Sequence, residues 1–229
     1  MVDDTLDDSR IRRVDQLGNV TTFPCTESEG IVFQLFGIAL DHSGDMFVSD
    51  GQNNRICEID PLGELGTTVA GGSLGNANGQ AGAAQFHTPL GVGLDAAGNV
   101  YVGDNQNNLI RKIDPAGNVT TLAGDGNAGF ADGPGATAEF NQTGAVAVDP
   151  LGDVIVTECG NRIRRIDPAG NVTTVAGNGQ AGDTDGTGGA QGTAEFNCPN
   201  GVAIDSACNV YVGDHLNGRV RKITFSAPR

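Results

Sequence analysis

The sequence predicts an all-β protein: a β-propeller of four-stranded antiparallel blades, with about four blades plus an N-terminal half-blade. Three observations predict it. A unit of just over fifty residues recurs four times. Each unit divides into four short β-rich runs with Gly, Pro, Asn or Asp between them. The runs carry apolar residues on both faces, so each sheet needs a cover on both sides.

The period is read from "GIALDHSGDMFVSD" (37–50), "GVGLDAAGNVYVGD" (91–104), "GAVAVDPLGDVIVTE" (144–158) and "GVAIDSACNVYVGD" (201–214). Successive units start 54, 53 and 57 residues apart. A period of that size is the mark of a propeller or a solenoid. The repeat units are 37–70, 91–123, 144–176 and 201–224, within one domain covering 1–229. Inside the second unit, the first run ends at Asp95 and "AAGN" turns the chain. Val100, Tyr101 and Val102 form the second run, Leu109 to Asp114 the third, and Val119 to Leu122 the fourth. That is an antiparallel meander. One such sheet is marginal alone. Twin sheets around a hub cover each other's faces, and four-strand meanders favour this over a solenoid.

The Gly-rich stretches after each fourth run join one blade to the next. Each carries a Phe, at 33, 86, 140 and 196, a few residues before the next inner strand. These are expected to be apolar plugs between blades.

The unit "GVGLDAAGNVYVGDNQNNLIRKIDPAGNVTTLAGDG" (91–126) resembles the NHL repeat, and the resemblance covers nearly the whole chain. It implies a propeller, most often of six blades. It does not by itself imply an activity, because NHL-type domains occur as substrate-binding domains of ligases, receptor ectodomains, lyases and plain scaffolds.

At the N-terminus, "RIRRVDQLGNVTTFP" (10–24) matches "RIRRIDPAGNVTTVA" (162–176). Residues 1–25 therefore form a half-blade, the third and fourth strands of a blade without its first two. The C-terminal unit has the opposite defect: "RVRKITFSAPR" provides a third strand and no fourth. Three arrangements follow. Val20, Thr21, Thr22 and Phe23 can complete the last blade within the chain, leaving Arg10, Ile11, Arg12 and Val14 surplus. The blades can form an open arc. Or the half-blade of one copy can fill the last blade of another, since an unpaired edge is a template for a further strand.

Chemistry is sparse. Asp50, Asp104, Glu158 and Asp214 share one repeat position, the end of the second strand, and Asn53, Asn107, Asn161 and Asn217 each follow three residues later. Facing a central channel, the four carboxylates would suit calcium. Related six-bladed lactonases and lyases hold a metal at the channel with acids, Asn or His, which gives the alternative reading of a metal-dependent hydrolase or lyase. The competing reading is structural: each acid caps its own loop, or pairs with Arg55, Arg162 or Arg219 of the third strand. Repetition in every blade favours the structural reading, because catalytic sites break symmetry. "GDTDGTGG" (182–189) reads as turn chemistry, and His42, His87 and His215 are scattered loop residues.

The formal net charge is −15, with only two lysines, Lys112 and Lys222. Such a field repels nucleic acid. No apolar run is long enough to span a bilayer as a helix, and the acidic start does not read as a secretory leader. Low lysine with abundant Gly, Asn, Thr and Asp favours an extracellular or cell-surface setting. Of five cysteines, Cys25 and Cys198 can meet if the ring closes, and Cys208 occupies a turn position that is Gly in the other units. The functional expectation is a non-enzymatic scaffold for a protein partner or copies of itself, without a required cofactor.

Overall fold

The computed structural model describes residues 11–23, 34–62 and 66–225. It is a β-propeller built of four antiparallel blades. Blade one comprises Leu35–Leu40, Met46–Asp50, Arg55–Ile59 and Gly66–Gly71. Blade two comprises Pro89–Leu94, Val100–Asp104, Leu109–Ile113 and Asn118–Ala123. Blade three comprises Thr143–Val148, Val154–Glu158, Arg162–Ile166 and Asn171–Ala176. Blade four has three strands among the described residues, Pro199–Ile204, Val210–Asp214 and Arg219–Ile223.

The inner strands lie side by side in chain order around the hub. Their close approach explains two glycines. A Cβ on Gly37 would strike the Leu90 carbonyl, and one on Gly91 the Gly144 carbonyl.

The blades pack face to face, and three apolar clusters fill the junctions. Ile56 and Ala70 of blade one meet Val92, Val100, Val102 and Ile113 of blade two. Tyr101 and Ile110 then meet Val146, Val154, Val156 and Ile166 of blade three. Ile155, Ile163 and Ala176 meet Val210 and Val212 of blade four. Alternate residues of one strand thus serve two different junctions, which is why both faces are apolar.

The Phe plugs are where expected. Phe86 and Phe140 are fully buried and Phe196 nearly so. Phe33 lies outside the described residues. The connections also contain short strands that the sequence did not reveal. Gly79–Gln80 adds to the outer edge of Asn118–Ala123, and Gly133–Pro134 to that of Asn171–Ala176, so blades two and three have five strands.

The Asp-x-x-Gly-Asn turns are uniform. The Asp95 carboxylate accepts the N–H groups of Ala97 and Asn99 at 2.9 Å, and Asp205 does the same for Ala207 and Asn209. Cys208, where the other units have Gly, keeps the turn: it adopts φ +60° beside +80° for Gly98 and makes the same bond, from its N–H to the Asp205 carbonyl at 2.9 Å. The aspartate bonds hold the left-handed position against the side-chain cost.

The half-blade forms its own hairpin, Ile11–Val14 with Val20–Phe23, in register Ile11↔Phe23 and Val14↔Val20. The expectation that Val20–Phe23 completes blade four within the chain is corrected here: that strand pairs only with Ile11–Val14 among the described residues. Ile11 seats on Met46, Val48, Cys57 and Ile59 of blade one. Ile11 is the repeat position of Ile56, Ile110 and Ile163, which all face the next blade. The hairpin therefore stands before blade one, as the outer half of a preceding blade.

Candidate functional site

The four acids are fully buried at the ends of their second strands. In blade two, Asp104 Oδ2 accepts from Asn107 at 2.8 Å and from Arg111 Nη1 at 3.0 Å, while Oδ1 accepts the His87 N–H at 2.8 Å. The Arg111 guanidinium also donates to the carbonyls of Gln85 and Ala77 and to Asn78 Oδ1. It lies over the Phe86 ring, 5.2 Å from its centre. One arginine thus ties the second strand, the incoming connection and the plug together.

The same knot recurs. Glu158 accepts from Arg164 at 2.7 Å and from the Asn141 N–H at 3.0 Å, with Arg164 5.0 Å from the centre of Phe140. Asp214 accepts from Arg221 at 3.0 Å, Asn217 at 2.9 Å and the Asn197 N–H at 2.8 Å, with Arg221 5.1 Å from the centre of Phe196. In blade one Cys57 holds the position of Arg111, and Arg55, two residues earlier on the same face, supplies Nε to Asp50 at 3.0 Å. Burial pushes the carboxyl groups of Asp104 and Glu158 above their ordinary range, opposed in each case by hydrogen bonds and by Arg111 or Arg164.

This places the predicted metal residues. Asp50, Asp104, Glu158 and Asp214 are each bonded to an arginine of their own blade. Among the described residues no three His, Cys, Asp or Glu side chains cluster to hold a metal ion. The structural pairing was anticipated for Arg55, but not for the other arginines. Arg162 lies 3.7 Å from the centre of the Phe130 ring, and Arg219 pairs with the exposed Asp183 at 2.8 Å. The sequence signal for the correct partners was present: Arg111, Arg164 and Arg221 share one repeat position.

Asn161 belongs to a different set from Asn53, Asn107 and Asn217. The loop after Glu158 is one residue shorter, so Asn161 takes the left-handed position of Asn54 and Asn108. These three asparagines accept the N–H of Thr88, Gln142 and Cys198 at 2.8–3.0 Å, stapling each blade to the connection that follows. At the last of these junctions Cys198 also forms a disulfide with Cys159. The expected approach of Cys198 to Cys25 concerns a residue outside the described set. His215 is exposed beside Asp214.

Two repeat positions that inner blades cover are accessible at the two ends of the row of blades. Ile38 of blade one is 47% exposed, whereas its counterpart Val92 is 6%. Val220 of blade four is 77% exposed, whereas Ile56, Ile110 and Ile163 are 0%. Beside Val220, a groove of about 750 Å³ runs along Arg219–Ile223 and is walled by Val175, Ala176, Phe196 and Asp185. No strand pairs with that outer edge among the described residues. Of the predicted assembly residues, Arg12, Val14, Val20, Thr21 and Thr22 are exposed, Ile11 packs on blade one, and Arg10 lies outside the described residues. No helix of the described residues is long and apolar enough to cross a membrane.

With this geometry in place, comparison with known proteins is decisive for the family. Residues 72–225 match the model described as the Teneurin NHL domain. The chain belongs to the NHL-repeat family. It is similar to NHL repeat-containing protein 2 of Gallus gallus, 35% identical over 104 residues, spanning 44% of this chain and 14% of that protein. Among solved structures, it resembles a structural genomics protein of unknown function from Bacteroides thetaiotaomicron. The TM-score is 0.68 at 19% identity, covering 94% of this chain and 64% of that one. It also resembles a streptogramin B lyase, with a TM-score of 0.56 at 12% identity, covering 96% and 63%. At such identities these likenesses show the fold alone. The NHL-repeat chain thus spans under two thirds of the length of these proteins.

Proposed function

We propose that this NHL-repeat propeller is a non-enzymatic scaffold that holds protein partners at the two incompletely covered ends of its row of blades. One observation carries the reading. The Ile163 position is buried at every internal junction and the Val92 position is buried or partly buried there, yet the two are exposed at the ends as Val220 and Ile38. A partner that covers them supplies what a neighbouring blade supplies inside. The repeated carboxylates support the same reading, since their acceptor sites are used by Arg and Asn within each blade.

The test places a photo-crosslinking residue at Phe36 or Leu216, exposed in the two end blades, and at Leu74 or Leu151 as exposed controls outside those blades. The expected result is protein adducts from the end positions and none from the controls. Absence of protein adducts at both ends contradicts the proposal. Calcium distinguishes the metal-dependent alternative: in this reading it leaves the unfolding temperature unchanged, whereas binding to the folded state would raise it with concentration.

A further inference from the structure

The groove at the last blade has the form of a strand-shaped gap, and three comparisons within the molecule define what fits it. The first is position. In blades two and three the same space, outside the third strand, holds the fourth strands Asn118–Ala123 and Asn171–Ala176. Beside Arg219–Ile223 it holds no paired strand among the described residues, and Val175, Ala176 and Phe196 line it.

The second is a polar anchor. In blade three, Asp132 binds Arg164 at 2.7 Å and also accepts from the fourth strand, from the Thr174 N–H at 3.1 Å and its hydroxyl at 3.0 Å. In blade four, Asp185 is held by Arg221 at 2.6 Å in the matching way. The Asp185 side chain is 96% exposed, against 31% for Asp132. The acceptor is in place, and among the described residues no threonine strand meets it.

The third is the donor. Val20-Thr21-Thr22-Phe23 repeats the pattern Val119-Thr120-Thr121-Leu122 and Val172-Thr173-Thr174-Val175. Val119 and Val172 are buried to 2% and 0%, whereas Val20 is 50% exposed. The strand Val20–Phe23 has the sequence of a fourth strand, and it pairs with Ile11–Val14 through the edge that Asn118–Ala123 turns to its own third strand.

The geometry points to a head-to-tail strand exchange in which Val20–Phe23 of a second copy leaves its own Ile11–Val14, enters this groove and pairs antiparallel with Arg219–Ile223 through the same edge. The register follows from blade two, where Arg111 faces Thr121 and Ile113 faces Val119. It sets Arg221 opposite Thr22, Lys222 opposite Thr21 and Ile223 opposite Val20. Thr22 then meets Asp185 as Thr174 meets Asp132. The contact is heterologous, with unlike surfaces meeting, so it propagates into a chain or closes into a ring. This deepens the scaffold reading by naming one occupant of one end, and it rests on that reading.

Sedimentation of the whole chain across a range of concentrations tests it. The expected result is a mass that rises from 23.3 kDa toward multiples of it. Val20→Glu and Asp185→Ala, both at exposed side chains, are expected to abolish the rise and leave the unfolding temperature of the monomer unchanged. A synthetic peptide of residues 17–23 should dissociate the wild-type assembly. A wild-type chain that stays at the monomer mass at the highest concentration overturns the contact. So does an assembly that both variants and the peptide leave intact. Either failure leaves the end-specific photo-adducts to other proteins unaffected, so the two readings fail separately.

Discussion

Blades three and four are built alike and end up in different circumstances. Both have a carboxylate at the end of the second strand, an arginine two positions into the third, a Phe plug and an aspartate in the preceding connection. In blade three, Ile163 is buried, and Arg164 and Glu158 have fully buried side chains. In blade four the counterpart Val220 is exposed, and Arg221 reaches solvent beside the groove. Burial here is conferred by the neighbouring sheet rather than by the blade's own sequence. A repeat protein of this kind is a sum of units and junctions, and a missing junction leaves an unchanged unit with an uncovered face.

The largest effect that separates the two blades is expected at the arginine. Arg164→Ala leaves Glu158 buried without its counter-charge and should cost about 3–5 kcal/mol in denaturant unfolding. Arg221→Ala opens onto the groove, where water can reach Asp214, and should cost only on the order of 1–2 kcal/mol. Equal costs would break the comparison.

Truncating the face residue sharpens it. Ile163→Ala removes buried methyl groups from the junction with blade four and should cost about 2–4 kcal/mol. Val220→Ala, at the same repeat position, should change stability by under about 0.5 kcal/mol in dilute protein. The Cys159–Cys198 disulfide acts only at the last junction. Its reduction should lower stability by about 2–4 kcal/mol and loosen blade four before blades two and three, read by limited proteolysis.

The smallest effect is common to all blades. Hydrogen bonds from the side chain and backbone N–H of Asn118 hold Asp114 below its ordinary 3.8, and Asn209 does the same for Asp205. A depressed folded-state value means that the stabilisation is complete above the unfolded value and is lost as pH falls through the folded one. The urea midpoint should therefore hold steady down to about pH 4 and then fall with further acid. Asp114→Asn and Asp205→Asn should each blunt that fall to a similar degree, since these turns do not depend on neighbours.

Much of the fold was legible because it is local or repeated. The turns at Gly98 and Gly117, the two-faced runs around Tyr101 and the Phe plugs each announce themselves in every copy. The half-blade was legible because residues 10–24 copy 162–176. Its seat was not, because the same hairpin sequence suits the space before blade one and the space after blade four; Ile11 on Met46 and Val48 decides between them. The strands Gly79–Gln80 and Gly133–Pro134 were illegible because they are two residues long and carry no apolar alternation. Pairing of Cys159 with Cys198 depends on two blades lying side by side, which no local pattern encodes. The carboxylate knots were half legible: the acids stood out by position, but the arginine that answers each was unassigned in blade two and misassigned in blades three and four. Arg162 and Arg219, at the strand starts, are nearer in sequence, while Arg164 and Arg221 are the ones aimed at the plug.

Native-state hydrogen exchange on the whole chain tests the central claim most directly. The account predicts strong protection in the third strands Leu109–Ile113 and Arg162–Ile166 and weak protection in Arg219–Ile223 in dilute solution. It further predicts that Arg219–Ile223 gains protection as concentration rises. Protection of Arg219–Ile223 equal to that of Arg162–Ile166 at every concentration would contradict it.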